Sequence, residues 1–255
     1  MMLGAIYGDK AGSIYEFSQL KEIKGINPQK LITKESFYSD DTIETIAIID
    51  AILNNKDYGE TLREYILKYE YYRPNFKPYF KTSFSPGTIK WAKGIGRNDS
   101  IGNGAMMRVS PVGYLFDNED EVVKNAKLVT IPSHNSEEAI SSAIIIALMI
   151  YYFRNGLSKE EVFKKLNLYV KYEPFIKFNT TCHETLGNCL YAIYNSNSFE
   201  DAIRKTLLMG GDTDTNACIV GSVAEALYGM SGEEKNEAFS NLPNEHIKIL
   251  RRVYK

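Results

Sequence analysis

Apolar residues return at helical spacing along most of this chain. In TIETIAIIDAIL, which Ser39 or Asp40 would open, isoleucine and alanine recur every three or four positions, and this predicts a helix. TLREYILKYEYYR puts Leu62, Tyr65, Ile66, Tyr69 and Tyr72 on one stripe, with Pro74 as its stop. SEEAISSAIIIALMIYYF is apolar almost all round, as a helix buried on every side must be. SKEEVFKKLNLYV begins with Ser158 and Glu161 at capping-box spacing, and SFEDAIRKTLLM repeats the arrangement with Ser198 and Asp201. HETLGNCLYAIYN and NEHIKILRRVY also fit helices. Alternating strand patterns are scarce. Residues 74–104 form the one long irregular stretch, a length that inside a domain is usually functional or disordered. With no repeat, linker or boundary in view, the expectation is one all-α domain, a compact orthogonal helical bundle over residues 1–255.

The first helical segment, LGAIYGDKAGSIYEF, carries Gly4, Gly8 and Gly12 at four-residue spacing. Interior glycine costs a helix up to about 1 kcal/mol relative to alanine. Such a stripe implies that a second backbone or a ligand comes close. Asp9 and Glu16, two helical turns apart, are expected on nearly the same face.

Composition narrows the function little. The 255 residues are 44% hydrophobic and 24% charged, with a formal net charge of −2. No global field favours nucleic acid or an anionic membrane. Cys182, Cys189 and Cys218 are an odd number without a CxxC pair, which argues against a disulfide framework and for a reducing compartment. No signal-peptide pattern opens the sequence, so a cytoplasmic protein is expected. The longest apolar run, residues 143–153, falls well short of the roughly 20 residues of a membrane span. Asp99, Asp117, Glu119, Asp120 and Glu121 read as solvated loops.

Chemistry enters with two aspartate clusters, each at a helix start. One is Ser39, Asp40, Asp41 and Thr42; the other is Asp212, Thr213, Asp214 and Thr215, preceded by Gly210 and Gly211. Capping alone accounts for one such oxygen at each start, and the helix dipole favours a carboxylate there. It does not account for two carboxylates and flanking hydroxyls at both. If the two starts meet near Glu16, five carboxylates converge. At an effective dielectric near 20, two unit charges about 4 Å apart repel by roughly 4 kcal/mol, so such a cluster needs cations. Oxygen ligands suit Mg²⁺, Mn²⁺ or Ca²⁺ rather than zinc. A local EF-hand is excluded, because DTDTN is followed by Ala217 and Val223 where that loop needs Gly and Glu.

The segments GAIYGDKAGSIYEF, YSDDT, GNGAMMRVSPVGYL, SHNSEEAISSA and GGDTDTNACIVGSVAEALYG stand in the order in which similar segments occur in ADP-ribosylglycohydrolases. The resemblance spans about residues 2–229. It implies an all-α fold that holds two Mg²⁺ or Mn²⁺ ions and cleaves ADP-ribose from a modified side chain such as arginine or serine. By that resemblance Ser39, Asp40 and Asp41 form one half of the metal site, and Asp212, Asp214 and Thr215 the other. Ser39 stands where many relatives carry threonine. Glu16 matches a mobile acidic residue, and Glu16, Asp41 and Asp214 are the catalytic candidates. Gly102, Asn103, Gly104, Ala105 and His134 match segments lining the ADP-ribose cleft. The implied partner is an ADP-ribosylated protein or a small ADP-ribose conjugate, with no membrane or nucleic acid, and a monomer is expected. A hydrolase of a free ADP-ribose derivative and a non-catalytic, crystallin-like binder are the alternatives.

Other signals stay open at this level. The glycine-rich residues 94–104 could offer backbone N–H groups to a diphosphate, yet they form neither a Walker loop nor a dinucleotide fingerprint. Arg108 pairs with a phosphate or with a buried carboxylate. Tyr71, Tyr72, Phe76, Tyr79 and Phe80 could stack on adenine or simply pack. Adjacent Cys182 and His183 make a poor nucleophilic dyad, and Asn179, Thr180 and Thr181 read as a helix cap.

Overall fold

Side-chain caps set where most of the helices begin. The computed structural model describes residues 2–72 and 82–253. Its first half runs α1 (Leu3–Gly12), a 3₁₀ turn (Glu16–Ser18), α2 (Asp40–Asn54), α3 (Tyr58–Lys68), α4 (Pro86–Ala92), α5 (Gly104–Met107), α6 (Ser110–Leu115) and α7 (Glu119–Thr130). The second half runs α8 (Glu137–Arg154), α9 (Lys159–Lys165), α10 (Cys182–Asn195), α11 (Phe199–Met209), α12 (Thr213–Tyr228), α13 (Gly232–Phe239) and α14 (Asn244–Val253). No strand occurs among the described residues, where two isolated bridges, Asp99 with His134 and Gly102 with Thr181, tie loops together. No described helix is long and apolar enough to cross a membrane.

The capping boxes at Ser158 and Ser231 are complete, each hydroxyl accepting from the backbone three residues on. Ser198 accepts from the Asp201 N–H, but the Asp201 carboxylate reaches back to the N–H of Asn197, one residue earlier than a strict box requires. Four sequence expectations change. The first helix stops at Gly12, so Asp9 and Glu16 do not share a helix. The third stops at Lys68, because Tyr72 stacks on Tyr38 and the Tyr69 hydroxyl binds Glu245. Glu119, Asp120 and Glu121 are the first turn of α7, held by the Asn118 cap, where the helix dipole favours them. The irregular stretch contains α4, whose Ser85 cap and Pro86 at the first position were an available start signal. Pro74, Phe76, Tyr79 and Phe80 lie outside the described residues.

The core is a single cluster of buried side chains centred on α1, α2, α8 and α12. The glycine stripe explains how α1 enters it. A Cβ at Gly4, Gly8 or Gly12 would overlap the carbonyl oxygen of Gly221, Ala217 or Thr213 respectively, so α1 lies backbone to backbone on α12. The packing reading of the stripe therefore holds. Glu225 of α12 accepts the Gly4 N–H at 2.7 Å, which caps α1 in the absence of a local cap. Lys10, fully buried, donates to the Ser240 carbonyl and hydroxyl at 2.8 and 2.7 Å and to the Glu237 carbonyl, closing the end of α13. All three cysteines are free and buried.

Candidate active site

Close approach of α1 and α12 carries two acidic segments to one place. Gly210 and Gly211 take φ of 69° and 81°, turning the chain sharply into α12. Asp212 occupies the N-cap position of α12 yet makes no side-chain cap. Its Oδ2 instead accepts from the Asn103 amide at 2.7 Å. On the facing element, Ser39 does cap α2, accepting from the Asp41 N–H at 3.2 Å, and its hydroxyl donates to Asp41 Oδ2 at 3.1 Å. Thr215 Oγ1 donates to the same oxygen at 3.3 Å, joining the two helix starts.

Asp9 was not among the residues expected here, and it completes the cluster. From the middle of α1 its Oδ2 accepts the Ser39 N–H at 2.8 Å, the Thr42 N–H at 3.1 Å and the Thr42 hydroxyl at 2.5 Å. It thus caps α2 from outside. Carboxylate oxygens of Asp9, Asp41 and Asp214 lie within 4.8 Å of one another, as do those of Glu16, Asp212 and Asp214. Asp214 belongs to both groups. Asp40, half-buried, falls in neither, although it lines the same cavity.

Burial pushes the five aspartates, Asp9, Asp40, Asp41, Asp212 and Asp214, toward their neutral forms. Asp9 rises to about 7 through burial and then the charge of Asp214. Asp214 rises to about 8 through burial and then the charge of Asp212. Asp40 and Asp41 are driven well above the usual carboxylate range by loss of water, then by Glu44 and by Asp9 respectively. Burial raises Asp212 too, opposed by the Asn103 amide.

A fit to hard cations follows from the donor set. Asp9 Oδ1 and Asp41 Oδ1 are buried with no hydrogen-bond partner, and a buried carboxylate oxygen left so is costly. Both belong to the all-oxygen group described above, which suits Mg²⁺ or Mn²⁺.

With Asp9 buried behind them, Asp40, Asp41, Asp212 and Asp214 line the acidic floor of a cavity of about 750 Å³. Its wall includes Glu16, Ser39, Asp40, Asp41, Gly102, Asn103, Gly104, His134, Asp212, Asp214 and Thr215. Of the residues expected at the site, Ala105 alone is absent: it is fully buried on the core side of α5. The loop before α5 is pinned by Asn103 N–H to Thr180 O at 2.7 Å and Cys182 N–H to Ile101 O at 2.9 Å. The expected cap is not made by Thr180: the N-cap residue of α10 is Thr181, without a side-chain cap, while Thr180 lines the cavity. Arg108 resolves as the partner of a buried carboxylate, Glu44 Oε2, at 2.6 Å. Tyr71 is exposed, Tyr72 packs on Tyr38, and the aromatic wall is made by Phe17, Phe37, Phe84, Trp91 and Phe178. Cys182 is no nucleophile: burial pushes its thiol up to about 12, and it donates to Gly102 O.

An all-α scaffold whose ligand-sized cavity is lined by convergent carboxylates that could hold a metal ion has the form of an enzyme site. The family model described as ADP-ribosylglycohydrolase matches residues 1–235. Over 91% of this chain and 70% of its own length, the ADP-ribosylarginine hydrolase Tri1 of Pseudomonas putida (strain GB-1) is 26% identical. ADP-ribosylhydrolase ARH3 of Homo sapiens is 23% identical over 90% of this chain and 84% of its own. A solved structure described as an ADP-ribosylglycohydrolase-related protein complex superposes with a TM-score of 0.66, covering 92% of this chain and 94% of that one at 18% identity, and supports the fold. The chain belongs to the ADP-ribosylglycohydrolase family.

Proposed function

We propose that this chain is a divalent-metal-dependent hydrolase that cleaves the N- or O-glycosidic bond between ADP-ribose and an acceptor, a protein side chain such as arginine or serine. The observation carrying this reading is the convergence of Asp9, Asp41 and Asp214, two of them with unpartnered buried oxygens, at a cavity lined by Asp41, Asp214 and Glu16. The names of the similar proteins, an ADP-ribosylarginine hydrolase and an ADP-ribosylhydrolase, support the substrate class.

Asp9, Asp41 and Asp214 would hold one ion, and Glu16, Asp212 and Asp214 border the place of a second. Bound there, the cations would supply positive charge to hold ribose hydroxyls and to acidify a water. Ser39 and Thr215 orient Asp41 through its Oδ2, and Asn103 orients Asp212. Asp41 or Asp214 takes the proton of the attacking water, while Glu16 serves the departing acceptor, as paired carboxylates do in glycoside hydrolysis. Glu16 sits on a 3₁₀ turn at the cavity wall.

The test is release of ADP-ribose from arginine- and serine-linked ADP-ribosyl peptides in Mg²⁺ or Mn²⁺, with EDTA as control. Release from one linkage, abolished by EDTA, is expected. Tight ADP-ribose binding with no release from either linkage would replace the hydrolase by a binder.

A further inference from the structure

Behind the cavity wall a chain of hydrogen bonds runs from Glu44 through Arg108 and Ser133 to His134. Arg108 is held by Glu44 through Nη1 at 2.6 Å, with both side chains buried. Its Nη2 lies 2.6 Å from Ser133 Oγ and 3.4 Å from His134 Nδ1. Ser133 Oγ is in turn 2.7 Å from His134 Nδ1.

Guanidinium has donors and no acceptor, so Ser133 Oγ must accept from Arg108. The one hydroxyl proton is then free to point at His134, where an unprotonated Nδ1 accepts it. A proton on Nδ1 would face the Arg108 N–H and displace the serine proton from its acceptor. A doubly protonated ring is disfavoured as well, because burial and then the charge of Arg108 hold His134 well below its ordinary pKa. The remaining form is a neutral imidazole with its proton on Nε2.

That nitrogen faces the cavity. A Cβ at Gly104 would lie 3.3 Å from Nε2 and one at Gly102 3.6 Å, so the two glycines leave this edge of the ring open. We infer that Glu44, Arg108 and Ser133 are positioning residues that lock His134 in its Nε2–H form, so that this wall presents a neutral donor to an acceptor oxygen of the substrate's diphosphate. The ligand half of this statement rests on the proposed ADP-ribose substrate; the tautomer does not. The preference is one of charge and polarity together. A neutral donor binds an anionic oxygen without adding a titrating charge beside the acidic floor.

Long-range ¹H–¹⁵N NMR of the full chain with labelled histidine reads the tautomer directly, with His134 assigned by its missing signals in His134→Gln. The expected spectrum near neutral pH is that of the Nε2–H form. An Nδ1–H form or an imidazolium overturns the inference, and this measurement needs no other variant. Ser133→Ala removes the acceptor–donor relay. It is expected to mix the tautomers and weaken ADP-ribose binding about tenfold, the size of one charge-assisted bond, while leaving adenosine binding unchanged. Equal loss for both ligands, or mixed tautomers with undiminished ADP-ribose affinity, overturns the diphosphate role. Failure of the wild-type chain to bind ADP-ribose would refute the substrate reading, and the NMR result would still decide the lock.

Discussion

Asp9→Asn should stabilise the metal-free protein and destabilise the metal-loaded one. The side chain has two separate tasks. Oδ2 serves three donors at the start of α2, whereas Oδ1 is buried without a partner in a carboxylate that lies beside those of Asp41 and Asp214. An asparagine keeps an acceptor for α2 and turns an amide N–H₂ toward the two carboxylates. At the 4.8 Å limit of that group, an effective dielectric near 20 gives about 3 kcal/mol of repulsion for each fully ionised pair. Burial and mutual charge raise Asp9 to about 7 and Asp214 to about 8, so the repulsion between these two grows as pH rises through that range and is relieved below it. Allowing for relaxation, a gain of roughly 1–3 kcal/mol is expected in EDTA at about pH 9, or about 2–4 °C in Tm per kcal/mol for a chain of this size. In Mg²⁺ at about 1,000 times its Kd the wild type gains about 4.1 kcal/mol, most of which the variant forgoes. The difference in Tm should therefore change sign between EDTA and Mg²⁺ in thermal melts. Asp9→Ala, which orphans the donors of α2 at about 1–3 kcal/mol each, should be destabilised in both. An Asp9→Asn variant that loses the same Tm in both buffers would show Asp9 to be a cap and nothing more.

Asp214→Asn, which touches both acidic groups, should abolish ADP-ribose release while circular dichroism remains that of the wild type; retained turnover refutes its role. Glu16→Ala should hold ADP-ribose affinity within about tenfold and lose most of kcat, since a general acid or base contributes about 10²–10⁴ in rate. In EDTA, stability should fall as pH rises from about 4, the unfolded aspartate range, through the folded values of about 7 and about 8, because raised folded pKa values make the folded state the better proton binder in that window. Chemical denaturation across that range checks the sign, and Mg²⁺ should flatten the slope. Gly8→Ala, forced against the Ala217 carbonyl, should cost about 3 kcal/mol or more, whereas Gly87→Ala, whose nearest neighbour is the Ser85 hydroxyl at 3.6 Å, should be nearly neutral in the same denaturation assay.

The helices that dominate the core were legible because their signals are local. The all-round apolar pattern of α8 and the serine caps of α9 and α11 need no tertiary context. The ends were less legible. α1 and α3 both stop before the apolar pattern does, because Tyr69 and Tyr72 find partners on other elements and residues after Gly12 turn into the 3₁₀ segment carrying Glu16. α4 and α5 are shorter than the windows over which periodicity can be read, so only a Ser-Pro start marked the first and nothing marked the second.

The acidic floor divides along the same line. Its α2 and α12 halves stood out as surplus carboxylates at helix starts, beyond what capping requires. Asp9 had no such mark, being a single acid inside a glycine-striped helix. Yet the stripe is what makes Asp9 possible. Gly8 brings the backbone of α1 against the Ala217 carbonyl, and Gly12 does the same at Thr213, immediately before Asp214. A larger residue at either position would push α1 outward and carry the Asp9 carboxylate away from both Asp214 and the start of α2. The glycines are therefore packing residues in contact and site residues in consequence. A sequence reader who treats packing and ligation as rival explanations of the stripe has to choose, whereas the geometry requires both.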